Sequence, residues 1–351
     1  MSKLGYSIID GDGHAQEHDN ELQEHMDEPY RSNIHGGNFP FFPTLDGYQR
    51  DSLRAFDGRH PGYVGAKEWL DFLDGHDIES TVLYPTSGLS VGMIQDAEWA
   101  VAVCRGYNNW LSETHLKKSD RLIGVALLPL QDPAEAVKEL RRAVSDLGMV
   151  AAVVPANSAD MGLRQHLGHK SFWPIYAEAE RLNCPIAVHG APSLGLGTNM
   201  LPMAGQIMLE HPLAQMIQLT GMMLSGMFDE FPTLKVAYLE ADTGWVPYMM
   251  DRLEVFSGSL IADPGDTLTS GRIYMSCQSG EVGLRTAMDR LSSDVVLYAS
   301  DFWHEPTDDI EDDIEILSSR TDITDEEKQK IFRDNTIRFY SLNVPAKAAA
   351  S

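Results

Sequence analysis

The stretch SIIDGDGHAQEH, residues Ser7 to His18, carries the reading of the fold. The apolar pair Ile8-Ile9 runs directly into Asp10, Asp12, His14, Glu17 and His18, with Gly11 and Gly13 between them. A buried strand that ends in metal-ligand side chains is the arrangement of an α/β barrel, whose active sites sit at the C-terminal ends of the strands. Asp12 and His14 are two apart, so in an extended chain they point the same way. Gly11 and Gly13 let the backbone turn tightly beside them.

Seven further apolar runs repeat this pattern down the chain. They are Ser80 to Thr86, Arg121 to Leu130, Gly148 to Pro155, Cys184 to Gly190, Leu234 to Asp242, Arg272 to Cys277 and Asp294 to Asp301. Most are continuous rather than alternating, as expected of strands covered on both faces of a parallel sheet. Helix-period segments separate them. Asp132-Pro133-Ala134-Glu135 places a capping aspartate and an N1 proline ahead of one helix, and Thr324 to Glu327 is a capping box ahead of another. Eight strand–helix alternations predict a distorted (β/α)8 TIM barrel. A doubly wound open sheet is the alternative, but GDGHAQ does not match GxGxxG after the first strand.

The 351 residues suit one large barrel, and 43% hydrophobic content supplies its core. Asp and Glu outnumber Lys and Arg 52 to 27, a formal charge of -25. Such a surface repels phosphate backbones and anionic membranes, so neither nucleic acid nor membrane is an expected partner. No basic, then apolar, leader is apparent and no run approaches a membrane span. Cys104, Cys184 and Cys277 lie far apart in apolar settings and read as buried thiols. A cytoplasmic enzyme acting on a small molecule is expected. The Met-rich segment from Leu213 to Phe228 reads chiefly as core, with a homodimer interface as the second reading.

Residues 19–79 break the alternation. They are rich in Gly, Pro and aromatics and are expected to form an inserted lid over the barrel mouth. Phe41 and Arg54 from this segment, with Trp303 after the eighth strand, are candidates for substrate binding. Residues 335–351 read as a C-terminal tail on a single 1–351 domain.

Under the barrel rule, Asp12 and His14 after the first strand converge with His189 after the fifth, Glu240 after the sixth and Asp301 after the eighth. Three carboxylates this close repel one another unless a cation sits among them. A divalent ion removes that cost and gives the imidazoles ligand roles. Glu17, His18, His211 and His304 add enough donors for a second ion.

IIDGDGH, CPIAVHG, FDEFPTLKVAYLEADTGWVPYMMDRLE and VLYASDFWHEP together resemble the amidohydrolase superfamily, in its aminocarboxymuconate-semialdehyde decarboxylase-like branch. The resemblance implies a barrel with a divalent metal at its mouth. It also implies ligands at His14, His189 and Asp301, with Asp301 doubling as proton shuttle. Where similar enzymes carry histidine, this chain has Asp12 and Glu240, and VVPAN stands where some carry a bridging lysine. The carboxylate-enriched set suits Fe2+ or Mn2+ better than a pure Zn2+ site. Three functions follow as expectations. The first is hydrolysis or decarboxylation of an aromatic, terpenoid or other carboxylate-bearing substrate, with Asp301, His189 and Glu240 catalytic. The second is oxygenation by a non-haem diiron centre on the same barrel. The third is a binding barrel without activity.

Overall fold

Eight strands hydrogen-bond in sequence order, each parallel to the next. They are β1 Ile8–Ala15, β2 Ile78–Pro85, β3 Leu122–Leu127, β4 Ala151–Pro155, β5 Ile186–His189, β6 Val236–Leu239, β7 Ile273–Cys277 and β8 Val296–Tyr298. The structure is a computed structural model and describes residues 4–33, 40–43, 62–158, 162–193, 195–259 and 263–343. Every residue of β1, β4, β5, β6, β7 and β8 is buried. This burial on both faces accounts for the unbroken apolar runs. The (β/α)8 reading therefore holds. β8 returns against β1 through two backbone hydrogen bonds beyond its end, His14 N to Phe302 O (2.6 Å) and Asp301 N to Asp12 O (3.0 Å). These two bonds set Asp12 and His14 of the first strand beside Asp301 after the last.

The helices start where the chemistry predicts. Asp132 accepts from the N–H groups of Ala134 (3.0 Å) and Glu135 (3.1 Å), capping the helix Pro133–Ser145. Thr324 and Glu327 form the reciprocal capping box of Asp325–Gln329. Cys104, Cys184 and Cys277 are buried free thiols.

The 19–79 segment divides differently from the expectation. Asp19–His25 packs on the outer helix Ala97–Thr114, where Trp110 Nε1 donates to Glu21 (3.0 Å) and Asn109 donates to the His25 carbonyl (2.9 Å). Ala66–Gly75 is an ordinary barrel helix ahead of β2, and Ile78 and Glu79 already belong to that strand. The lid expectation otherwise falls on 34–39 and 44–61, outside the described residues.

The final helix, Asn335–Tyr340, is no loose tail. Asn335, Thr336 and Phe339 are fully buried, and Tyr340 Oη donates to Gly11 O (2.7 Å) under β1. The Met-rich helix Met203–Leu224 is core on one side only. Leu219, Met222 and Met223 are buried, whereas Leu213, Ile217 and Leu224 are exposed. Among the described residues no helix is long and apolar enough to cross a membrane.

Candidate metal centre

The barrel brings Asp12, His14, His189, His211, Glu240, Asp301 and His304 into one recess. Two residues on β1 start it. Asp12 is 3% exposed and His14 fully buried. His14 Nδ1 faces the Pro85 carbonyl at the end of β2 (2.9 Å). A carbonyl only accepts, so Nδ1 carries the proton and Nε2 turns its lone pair inward. Burial, with the His304 charge behind it, holds His14 below the ordinary histidine range, which keeps that lone pair free.

His189 ends β5 and is oriented the same way, with Nδ1 donating to Gly190 O (2.8 Å). Its Nε2 lies 3.3 Å from Asp12 Oδ2, and Asp12 Oδ1 lies 3.7 Å from His14 Nε2. Asp301, past β8, completes the ring with Oδ1 3.1 Å from His14 Nε2. Asp12, His14 and His189 offer ligand atoms within 4.8 Å of one another, as do His14, Asp301 and His304.

Glu240 and Asp301 hold left-handed backbone conformations, φ 59° and 50°. For residues with a Cβ this costs about 1–2 kcal/mol each. Ser276 Oγ accepts from the Glu240 N–H (2.9 Å) and helps hold the turn. Glu240 Oε2 then lies 3.2 Å from His189 Nδ1 and 3.9 Å from His211 Nδ1. The backbone between them is glycine of necessity. A Cβ on Gly190 would sit 2.9 Å from both Glu240 Oε2 and His211 Nδ1.

His304 stacks on His14 with ring centroids 3.8 Å apart, and its Nδ1 lies 2.9 Å from Asp301 Oδ1. Its Nε2 contacts Thr86 Oγ1 at 3.1 Å. Thr86 Oγ1 spends its own hydrogen on the Ala15 carbonyl (2.8 Å), so the His304 N–H is the donor.

The residues fit a cation on three counts. His14 Nε2 is a buried atom with no hydrogen bond among the described residues, and such atoms are rare unless something else satisfies them. The donors are carboxylate oxygens and imidazole nitrogens, the set that divalent Mn, Fe and Zn take. The carboxylates also draw positive charge, which protons on the neighbouring imidazoles supply and a cation would replace. Burial pulls His189 down, but the Asp12 and Glu240 carboxylates outweigh it and push it up to about 9. Burial likewise opposes His304, and Asp301 pushes it up to about 9. Burial also raises Asp301, yet His304 and His14 hold it well below the usual carboxylate range. Glu240, dominated by burial, rises to about 8. His211, pressed by burial and by His189, falls to about 4 and is neutral.

Three candidates lie elsewhere, and a fourth falls outside the described residues. Glu17 turns away from the recess. Its carboxylate accepts from Thr86 N (3.1 Å), Ser87 N (3.2 Å) and Gly88 N (3.0 Å), capping the turn after β2. Its lone pairs are used, so it is no second-metal ligand. The His18 ring stacks on Tyr63 with centroids 5.6 Å apart and joins no ligand cluster among the described residues. Phe41 is buried edge-on against Trp99 (5.3 Å) beside a recess of about 340 Å³ that none of the seven groups lines. Arg54 lies outside the described residues. Trp303, by contrast, adjoins His304, with ring centroids 6.1 Å apart and its indole N–H buried without a partner among the described residues. Thr86 was not singled out in the sequence, and Asp10 was named among the acids of the first strand but given no role. Asp10 had a signal, since Asp10, Asp12 and His14 follow the period-2 spacing of one strand face.

The profile of the family described as amidohydrolase matches residues 18–342. The gamma-resorcylate decarboxylase of a Rhizobium species is 29% identical over 297 residues, covering 78% of this chain and 86% of that protein. The 2,6-dihydroxybenzoate decarboxylase structure from Rhizobium shares the fold at a TM-score of 0.71 and 23% identity, covering 96% of this chain and 99% of that one. A Polaromonas dihydroxybenzoic acid decarboxylase, solved with manganese and 2-nitroresorcinol, matches at a TM-score of 0.71 and 21% identity, covering 96% and 98%. The chain is a metal-dependent hydrolase or carbon–carbon lyase, and it belongs to the amidohydrolase family, in the aminocarboxymuconate-semialdehyde decarboxylase-like branch.

Proposed function

We propose that this chain is a nonoxidative decarboxylase of a hydroxylated aromatic carboxylate, with one divalent ion held by Asp12, His14, His189 and Asp301. The observation that carries the reading is the buried His14 Nε2, without a hydrogen bond among the described residues and 3.1 Å from Asp301 Oδ1, beside Asp12 and His189. The reaction class comes from the relatives, whose names specify decarboxylation of resorcylate and dihydroxybenzoate. Manganese is the favoured ion, because the donor set is carboxylate-rich and the Polaromonas enzyme was solved with it.

When bound, a divalent ion supplies charge compensation for the substrate carboxylate and a neighbouring ring hydroxyl. The bond between ring carbon and carboxylate breaks, CO2 leaves, and the electron pair stays on the ring carbon, which takes a proton. The chain's own proton source is His304, whose Nδ1 faces Asp301 Oδ1 at 2.9 Å. Asp301 passes that proton inward and is recharged from His304. Glu240 steadies His189 from the Nδ1 side at 3.2 Å. Trp303 forms the wall against which an aromatic ring would lie.

The test is metal analysis of the purified chain followed by incubation with 2,6-dihydroxybenzoate and related hydroxybenzoates under argon and under air. CO2 release at equal rates in both atmospheres, lost on chelation, is expected. Turnover that requires oxygen, or that survives full metal removal, would overturn the reading. The diiron oxygenase is the second reading. One observation favours it: His211 and Glu240 extend the ligand set beyond the first four groups, 3.9 Å from each other. Two irons per chain with oxygen consumption would select it.

A further inference from the structure

Asp10 is a fully buried carboxylate in β1, two residues before Asp12, and its side chain bonds to backbone groups and hydroxyls rather than to any ligand-type side chain of the recess. Its oxygens are nonetheless saturated. Oδ1 accepts from Ser300 N (2.8 Å) and Asp12 N (3.3 Å), and Oδ2 accepts from Thr81 Oγ1 (2.7 Å) and Ser300 Oγ (2.8 Å). Ser300 Oγ accepts in turn from Phe302 N (3.2 Å). Asp10 thus holds the amide of one ligand residue, Asp12, and the residue immediately before another, Asp301.

The position explains the need. The β1–β2 ladder shifts register between Asp10 and Gly13. A bulge leaves backbone groups unpaired and bends the strand, and here it falls where Asp12 must be aimed. The Asp10 carboxylate supplies the missing tie, joining β1, β2 through Thr81, and the segment after β8 through Ser300. A Cβ on Gly13 would lie 2.9 Å from Asp10 Oδ2 and 2.4 Å from Trp69, so the cradle admits no side chain there.

We infer that Asp10 is a positioning residue for the metal centre, fixing the Asp12 and Asp301 carboxylates relative to each other and thereby setting metal affinity. The inference rests on the metal-site reading above. A merely structural Asp10 would close the barrel seam and would alter stability with or without metal. A positioning Asp10 alters binding of the ion itself, as residues behind metal ligands do, by roughly 10–100-fold.

The experiment uses the full chain stripped by chelator and titrated with Mn2+ alone. Free Mn2+ is followed by its EPR signal, and the melting temperature of the metal-free protein is recorded separately. Asp10→Asn keeps the volume and an acceptor for Ser300 N. Ser300→Ala removes only the hydroxyl and covers the case in which Asp10→Asn fails to fold. Both are expected to weaken Mn2+ binding about 10–100-fold and to shrink the rise in melting temperature that saturating Mn2+ gives the unmodified chain. Lower metal-free melting temperatures with unchanged Mn2+ affinity would overturn the inference alone. Failure of the unmodified chain to bind Mn2+ would overturn the metal-site reading, and this inference with it.

Discussion

Asp12 and Glu17 are acids five residues apart on the same rim, both nearly inaccessible at 3% and 8% exposure. Their surroundings differ in kind. The Glu17 oxygens meet the backbone N–H groups of Thr86, Ser87 and Gly88. The Asp12 oxygens meet imidazole nitrogens of His189 and His14, at 3.3 and 3.7 Å. One carboxyl faces only backbone N–H donors, and the other faces imidazole nitrogens at distances a proton or a cation can bridge. Burial and residue type therefore do not mark a ligand, whereas the sort of atom facing the carboxylate does.

The largest effect expected from this contrast is on metal content. Asp12→Ala and Asp301→Ala should lose the ion and cut turnover roughly 1,000-fold or more, since several kcal/mol of charge stabilisation go with it. Glu17→Ala should keep its metal in the same assay. A metal-free Glu17→Ala beside a metal-loaded Asp12→Ala would break the comparison.

The second effect is on stability and carries a pH signature. Glu17→Ala leaves buried N–H donors unpaired, at about 1–3 kcal/mol. Burial, partly offset by those N–H groups, pushes Glu17 from its ordinary 4.5 up to about 7. The folded state then holds the proton more tightly than the unfolded one. Its contribution is fully present below about 4.5 and is lost as pH rises through about 7. The gap in unfolding free energy between unmodified and Glu17→Ala protein should thus be widest in acid and shrink across that window. Urea titrations of the metal-free proteins at several pH values measure it, and a gap that widens with pH would refute the assignment.

The same contrast shows what the sequence can and cannot disclose. The convergence of Asp12, His14, His189, Glu240 and Asp301 was legible because each follows an apolar run, and the barrel rule places strand ends on one rim. Glu17 and His18 were not separable from them by type. β1 ends at Ala15, and beyond it the period-2 rule no longer says where a side chain points. Asn335 and Thr336 fall in the 335–351 segment read as a tail. They are buried because the Asn335 amide donates to the carbonyls of Ser293 (2.8 Å) and Val296 (2.7 Å), partners that only the closed barrel brings near. Phe41 was read as a substrate contact from its aromaticity alone, which equally suits its place against Trp99.

The smallest expected effect joins the two regions. Thr86 belongs to both, since its N–H reaches Glu17 and its hydroxyl receives the His304 Nε2 proton at 3.1 Å. Thr86→Val keeps the shape and the backbone N–H, so the Glu17 cap and the bound ion should survive. It removes the acceptor that fixes one side of His304, while Asp301 still holds the other at 2.9 Å. A single hydrogen bond of this kind is worth about 1 kcal/mol, so turnover should fall roughly five- to tenfold with metal content and unfolding midpoint near those of the unmodified chain. If proton delivery runs from His304 through Asp301, the loss should appear in kcat rather than KM and should carry a solvent isotope effect larger than that of the unmodified protein. A loss confined to KM would place His304 in substrate binding and leave Asp301 without a proton donor.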